Sequence, residues 1–127
     1  MGQQQILLLV VAAIIVVLAI AIGIDMFAAN AQTANRDSIV SELNNLSTLA
    51  IQFYKKPFSY GGGNSSFISW TIPEELDTTS NAIYSLTCTD QIATITALGR
   101  ELGDNGSNPI EMVAKVTSAG IVINLIN

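Results

Sequence analysis

The sequence predicts an α+β fold: one long N-terminal α-helix, about residues 3–56, packed by its second half on a four-stranded antiparallel β-sheet. Three observations carry this. The run from Ile6 to Ile24 holds nineteen residues without a charge or a proline, and helical periodicity continues beyond it as far as Pro57. From Ala82 onward, apolar and polar residues instead alternate with period two. The connections between those alternating runs are short, as antiparallel neighbours allow and parallel ones do not. An apolar sheet face and an apolar helix stripe each need cover, and each can cover the other.

The first element reads ILLLVVAAIIVVLAIAIGI over residues 6–24. At ~1.5 Å per residue it would span about 28 Å, the thickness of a bilayer's hydrocarbon core. It is apolar on every side, so its whole circumference must be buried, in lipid or against copies of itself. Ile6, Leu9, Ala13, Val16, Val17, Ile20 and Gly23 are the residues expected to pack on neighbouring copies. A cleaved secretory signal is the weaker reading of Ala29-Asn30-Ala31: MGQQQ carries no Lys or Arg, the apolar run is too long, and Asp25 intervenes.

Past Asp25 the helix continues with a stripe. Ile39, Leu43, Leu46, Ala50 and Phe53 recur at spacings of four, three, four and three, widened by Val40 and Leu49. Arg36, Asp37, Glu42, Asn45 and Gln52 fall largely on the other side. Lys55 and Lys56 suit the negative end of the helix dipole, and Pro57 stops the helix. A rod of this length would reach about 80 Å. The chain therefore divides into residues 1–29, an apolar half-helix serving as anchor or core, and residues 30–127, a globular part. Gly23 costs about 1 kcal/mol relative to alanine inside a helix, which makes Gly23 to Asn30 the weakest part of the rod; the helix either unwinds there or runs unbroken, with Gly23 permitting close packing.

In the globular part, SYGGGNSS from Ser59 to Ser66 reads as a flexible surface loop at a subunit boundary, and Phe67–Trp70 as a short edge strand. Thr71-Ile72-Pro73-Glu74 fits a capping box opening one helical turn through Leu76. Strands follow at 82–88, 92–98, 110–116 and 121–125, with Ala82, Tyr84, Leu86 and Cys88 on one face and Ile121, Ile123 and Leu125 inward. Phe53, Tyr54, Phe58 and Tyr60 are expected to pack at the junction of helix and domain.

Composition excludes several functions. Net charge is −5, and the basic residues, Arg36, Lys55, Lys56, Arg100 and Lys115, are too scattered to hold nucleic acid. Histidine is absent and Cys88 is the lone cysteine, which removes the commonest general base, an internal disulfide and multi-cysteine metal motifs. Glu74, Glu75, Asp77 and Asp90 form no recognisable catalytic pair, and no Lys-Ser/Thr follows Gly61-Gly62-Gly63, so no phosphate-cradling loop is read there. No enzyme activity, metal or cofactor is expected. Cys88 is read as a buried small apolar residue. Of the Asn-x-Ser triplets at Asn45, Asn64 and Asn105, the latter two lie on expected loops and are the plausible glycosylation sites.

The uncharged cluster Gln3-Gln4-Gln5, the apolar half-helix from Ile6 and the amphipathic continuation together resemble the N-terminus of type IV pilins and pseudopilins, over roughly the first 55 residues. That resemblance implies leader removal after Gly2 by a prepilin peptidase and modification of the new amine by methylation. It implies an inner-membrane anchor before assembly, and then a homo-oligomeric helical filament at the cell surface, raised by dedicated machinery. It also implies the helix-on-sheet fold already read from periodicity. Gln5 lies near the place where the family has a glutamate. An amide accepts a hydrogen bond from a terminal ammonium without cancelling its charge, so a different polar contact at the N-terminus is implied. The alternative is a bitopic membrane-anchored binding protein, or a minor pseudopilin of a secretion system that does not form the filament itself.

Overall fold

A computed structural model describes residues 2–127. Helix α1 spans Gly2–Lys55, and a single 3-10 turn occupies Phe58–Tyr60. A one-turn helix α2 covers Glu74–Asp77, followed by β1 (Ala82–Cys88), β2 (Ala93–Leu102), β3 (Pro109–Thr117) and β4 (Gly120–Leu125). The chain forms two compact units, one ending at Thr33 and the other running from Ala34 to Asn127. α1 is helical without interruption from Gly23 to Asn30.

In the Ala34–Asn127 unit the four strands pair antiparallel in the order β1-β2-β3-β4. Ile39, Leu43, Leu46 and Ala50 of α1 are fully buried against the sheet, as their spacing predicts, while Phe53 is half-buried. From the sheet, Ala82, Tyr84, Ala93, Ile95, Ala97, Ile110, Met112, Ala114 and Val116 close the same core. Register explains how the pieces fit. Tyr84 lies across from Ala97 and Ala97 from Met112, while Leu86 lies across from Ile95 and Ile95 from Ala114. Each such row places an alanine beside larger side chains, leaving room for the helix to settle at native packing density.

The tightest approach is at Gly99. A Cβ there would fall 2.5 Å from Asn35 Oδ1 and 3.0 Å from Ile39 Cδ1. The β2–β3 register breaks between Leu98 and Leu102, which frees backbone N–H groups from the ladder. Asn35, buried on α1, collects two of them: its Oδ1 accepts from Arg100 N at 3.1 Å and Glu101 N at 3.3 Å. Its Nδ2 donates to Asn81 O at 2.9 Å. One side chain thus ties the helix to the bulge of β2 and to the entry of β1.

Several expectations are corrected. Residues 57–66 form an ordered cap on α1: Gly63 N donates to Phe53 O (2.8 Å), Asn64 N to Lys56 O (2.9 Å) and Ser65 N to Tyr54 O (2.7 Å). Helix ends leave such carbonyls unpaired, and this loop folds back over them. A Cβ on Gly62 would lie 2.1 Å from Lys56 O, and one on Gly63 1.9 Å from Ser66 O, so both glycines admit a close backbone crossing. Phe67–Trp70 is a turn, not an edge strand. Ser69 has φ +73°, Trp70 N donates to Phe67 O, and Phe67 drops into the core with its ring 4.7 Å from that of Tyr54. α2 forms without the capping box: its N-cap is Pro73, with no side-chain cap bond. β2 starts at Ala93 and continues past Leu98 to Leu102, because the bulge lets the strand resume pairing at Pro109. Leu125 is 45 % exposed, whereas Ile121 and Ile123 pack against the core. Phe58 and Tyr60 are also exposed and make no packed junction.

Candidate functional site

The unit ending at Thr33 has one outstanding property. Every residue from Gly2 to Asn30 is exposed, including the whole run from Ile6 to Ile24. Leucine, isoleucine, valine and alanine dominate that run, and its length and composition suffice to cross a membrane. Single exposed apolar residues are ordinary on a soluble surface, but continuous exposure over successive turns marks a surface that another apolar phase covers.

The residues expected to pack on neighbouring copies all lie on α1 and are all exposed; Ile6, Leu9, Val16, Val17 and Ile20 range from 56 to 73 %. At ~100° per residue, the full set from Ile6 to Gly23 falls on roughly a third of the circumference. Leu9, Ala13 and Val17 line, with Val10, Ile14 and Leu18, a shallow groove between ridges of side chains. Ala13 is the dip in it. Val16, Ile20 and Gly23 occupy the adjoining flank. A Cβ on Gly23 would meet nothing within 4 Å, so nothing in its own chain requires glycine there, and the same holds for Gly2. Gln5 is an exposed residue of the first turns.

A second feature lies in the Ala34–Asn127 unit, where sequence periodicity places Glu42 on the wet side. Glu42 follows Ile39 by three positions and precedes Leu46 by four, so it stands at the margin of the buried stripe. That spacing is the signal that locates it. Its Oε1 accepts a hydrogen bond from Asn81 Nδ2 at 2.8 Å; its Oε2 accepts from Thr79 Oγ1 at 2.9 Å and from the Tyr84 hydroxyl. Burial pushes the Glu42 carboxyl up, but the bonds from Tyr84, Asn81 and Thr79 together outweigh it and hold the group below its ordinary value. Burial, and then the Glu42 carboxylate it faces, pushes the Tyr84 phenol well above its own. Beside this network is a cleft of about 250 Å³, lined by Glu42, Asn45, Leu46, Leu49, Leu76, Thr79 and Tyr84.

Arg36, also assigned to the wet side, is half-buried and pairs with Asp104 at 2.7 Å. Cys88 is half-buried, with Sγ 3.9 Å from Trp70 O, and burial raises its thiol pKa, which disfavours the reactive thiolate. Asn64 and Asn105 are both exposed and lie in loops. Asn64 has φ +50°, and Asn105 Oδ1 accepts from Ser107 N and Asn108 N, each at 3.0 Å. Among the described residues no three or more of Cys, Asp and Glu gather where they would hold a metal ion. Compared with protein-family models, characterised proteins and solved structures, the chain matches none.

Proposed function

We propose that this chain is the structural subunit of an extracellular filament resembling type IV pili. Its N-terminal helix anchors it in the inner membrane before assembly and then enters a core built from the same helices of other copies. The observation that carries the reading is the complete exposure of the apolar run from Ile6 to Ile24. Lipid and a bundle of like helices are both apolar, so passage from one to the other keeps the run out of water. Sequence adds support: no proline and no linker-like composition separates the apolar run from the stripe of Ile39, Leu43 and Leu46. The reading assigns the chain no catalytic role and no cofactor. Leader removal at Gly2 and a polar contact at Gln5 belong to it by resemblance, and glycans on Asn64 and Asn105 by their Asn-x-Ser triplets.

One apolar helix and a cleft on the water-facing unit also suit the alternative, a bitopic anchored protein or minor pseudopilin that binds a partner without polymerising. Shearing the cells separates the two. Ordered filaments containing this chain in the sheared fraction are the expected result. Recovery solely with detergent-solubilised membrane would overturn the filament reading and favour the alternative.

A further inference from the structure

Two surface features of the Ala34–Asn127 unit stay unmatched within one copy, and each has what the other lacks. The first is a knob. Immediately after α1, the 3-10 turn presents Phe58 at 75 % and Tyr60 at 74 % exposure, beside the exposed Lys55 and Lys56. The second is the cleft of about 250 Å³ walled by Leu46, Leu49 and Leu76, smaller than the roughly 300–1,000 Å³ of small-molecule sites but able to take one aromatic ring. Leu76 belongs to α2, so the exposed acids Glu74, Glu75 and Asp77 stand within one helical turn of a cleft-lining residue. Glu42 adds a carboxylate whose hydrogen-bond partners Asn81, Thr79 and Tyr84 are all neutral. Among the described residues the one ion pair is Arg36–Asp104, so neither the lysines nor the acids of α2 are neutralised in their own copy.

The knob lies outside its own cleft. No residue from Lys55 to Tyr60 lines it, and Leu49, the lining residue of α1 nearest the knob, stands six positions before Lys55, about 9 Å at ~1.5 Å per residue. We propose that the Phe58–Tyr60 turn of one copy docks into this cleft of a second copy, with Lys55 and Lys56 facing Glu74, Glu75 and Asp77. The contact joins two different patches, so it is head-to-tail, and each copy keeps a free knob and a free cleft for the next. An exposed aromatic seated in an apolar pocket supplies the anchor, and the opposed charges choose partner and register. The proposal names the contact between globular units within the filament reading, and rests on that reading for its repetition.

The test uses the full chain in detergent micelles with Cys88→Ala. One population carries Ser59→Cys beside the knob and another carries Thr78→Cys beside α2, both at exposed positions. A short bifunctional thiol reagent is expected to give mixed dimers, weakening as ionic strength rises through about 0.15 M. Lys55→Glu with Lys56→Glu on the Ser59→Cys copy is expected to lower the yield about tenfold, and Glu74→Lys with Glu75→Lys on the other copy to restore it. Circular dichroism on each variant checks that it folds. Absence of mixed dimers, indifference to charge reversal, or failure of the paired swap would overturn the contact. Charge-dependent dimers from a chain that never yields sheared filaments would keep the contact and remove the filament reading; filaments without the cross-link would do the reverse.

Discussion

Asn35 Oδ1 occupies the space that a side chain on Gly99 would need, 2.5 Å from where a Cβ would stand. The two residues lie on α1 and β2, and their closeness lets one amide hold the backbone N–H groups of Arg100 and Glu101. Gly99→Ala is therefore expected to push the helix off the bulge and destabilise the fold by about 1–3 kcal/mol, from overpacking and lost hydrogen bonds. Asn35→Leu removes the acceptor and leaves two part-buried donors unpaired, at a cost of about 1 kcal/mol or more. Chemical unfolding followed by circular dichroism measures both. Midpoints unchanged from wild type would contradict the close approach.

Acid stability is expected to depend on Glu42. Its folded pKa lies below the unfolded value near 4.5, so the stabilisation is present above that pH. It is lost as pH falls through the depressed folded value, because protonation then replaces a three-fold acceptor with an acid. Glu42→Gln should flatten the unfolding midpoint between neutral pH and pH values below about 4.5. A midpoint series against pH, wild type beside variant, reads this directly.

At the alkaline end the sign reverses for Tyr84. A raised folded pKa means that its stabilisation is complete below the ordinary phenol value and fades as pH climbs towards the shifted one. Phenolate absorbance should show a step from Tyr84 well above the ordinary phenol value. Tyr84→Phe should delete that step.

Glycines divide by what surrounds them. Gly63→Ala sets a Cβ against Ser66 O at 1.9 Å and the Phe53 ring at 2.7 Å, so the cap on α1 should open and the thermal midpoint fall. Gly23→Ala meets open space and should strengthen the helix by about 1 kcal/mol. Helix content and sheared-filament yield, measured on the same Gly23→Ala protein, separate a folding role from an assembly role. A chain that folds normally but no longer assembles would locate the need for glycine between copies.

Ser47 is fully buried, and its hydroxyl has no hydrogen-bond partner among the described residues. Ser47→Ala should raise stability by about 1 kcal/mol, since a desolvated, unpaired hydroxyl is removed with little loss of volume. Denaturant titration gives the sign.

Val16→Asp tests the apolar run. A carboxylate at an exposed position in the middle of that run is costly in any apolar phase, by about 2.5–3.5 kcal/mol on insertion scales. Filament yield should collapse while the unfolding profile of the Ala34–Asn127 unit stays as in wild type. Wild-type filament yield from this variant would contradict burial of the run among copies.

The sequence by itself determined the long N-terminal helix, its exposed apolar run, the buried stripe of Ile39, Leu43, Leu46 and Ala50 and the antiparallel strands. These follow from periodicity, which neighbouring residues write into any stretch of chain. The exposed positions proposed for assembly were legible for the same reason. Tertiary structure decided the rest. Glu42 reads as a wet-face residue, and no local pattern marks Asn35, until Tyr84 and the bulge of β2, more than forty positions away in sequence, meet them. The glycine-rich stretch reads as a loose loop until it turns back to cap Phe53, Tyr54 and Lys56. Phe58 and Tyr60 read as packing residues until that fold-back leaves them outside. A polar group's role depends on which distant donors and acceptors arrive beside it, and no local pattern encodes that arrival.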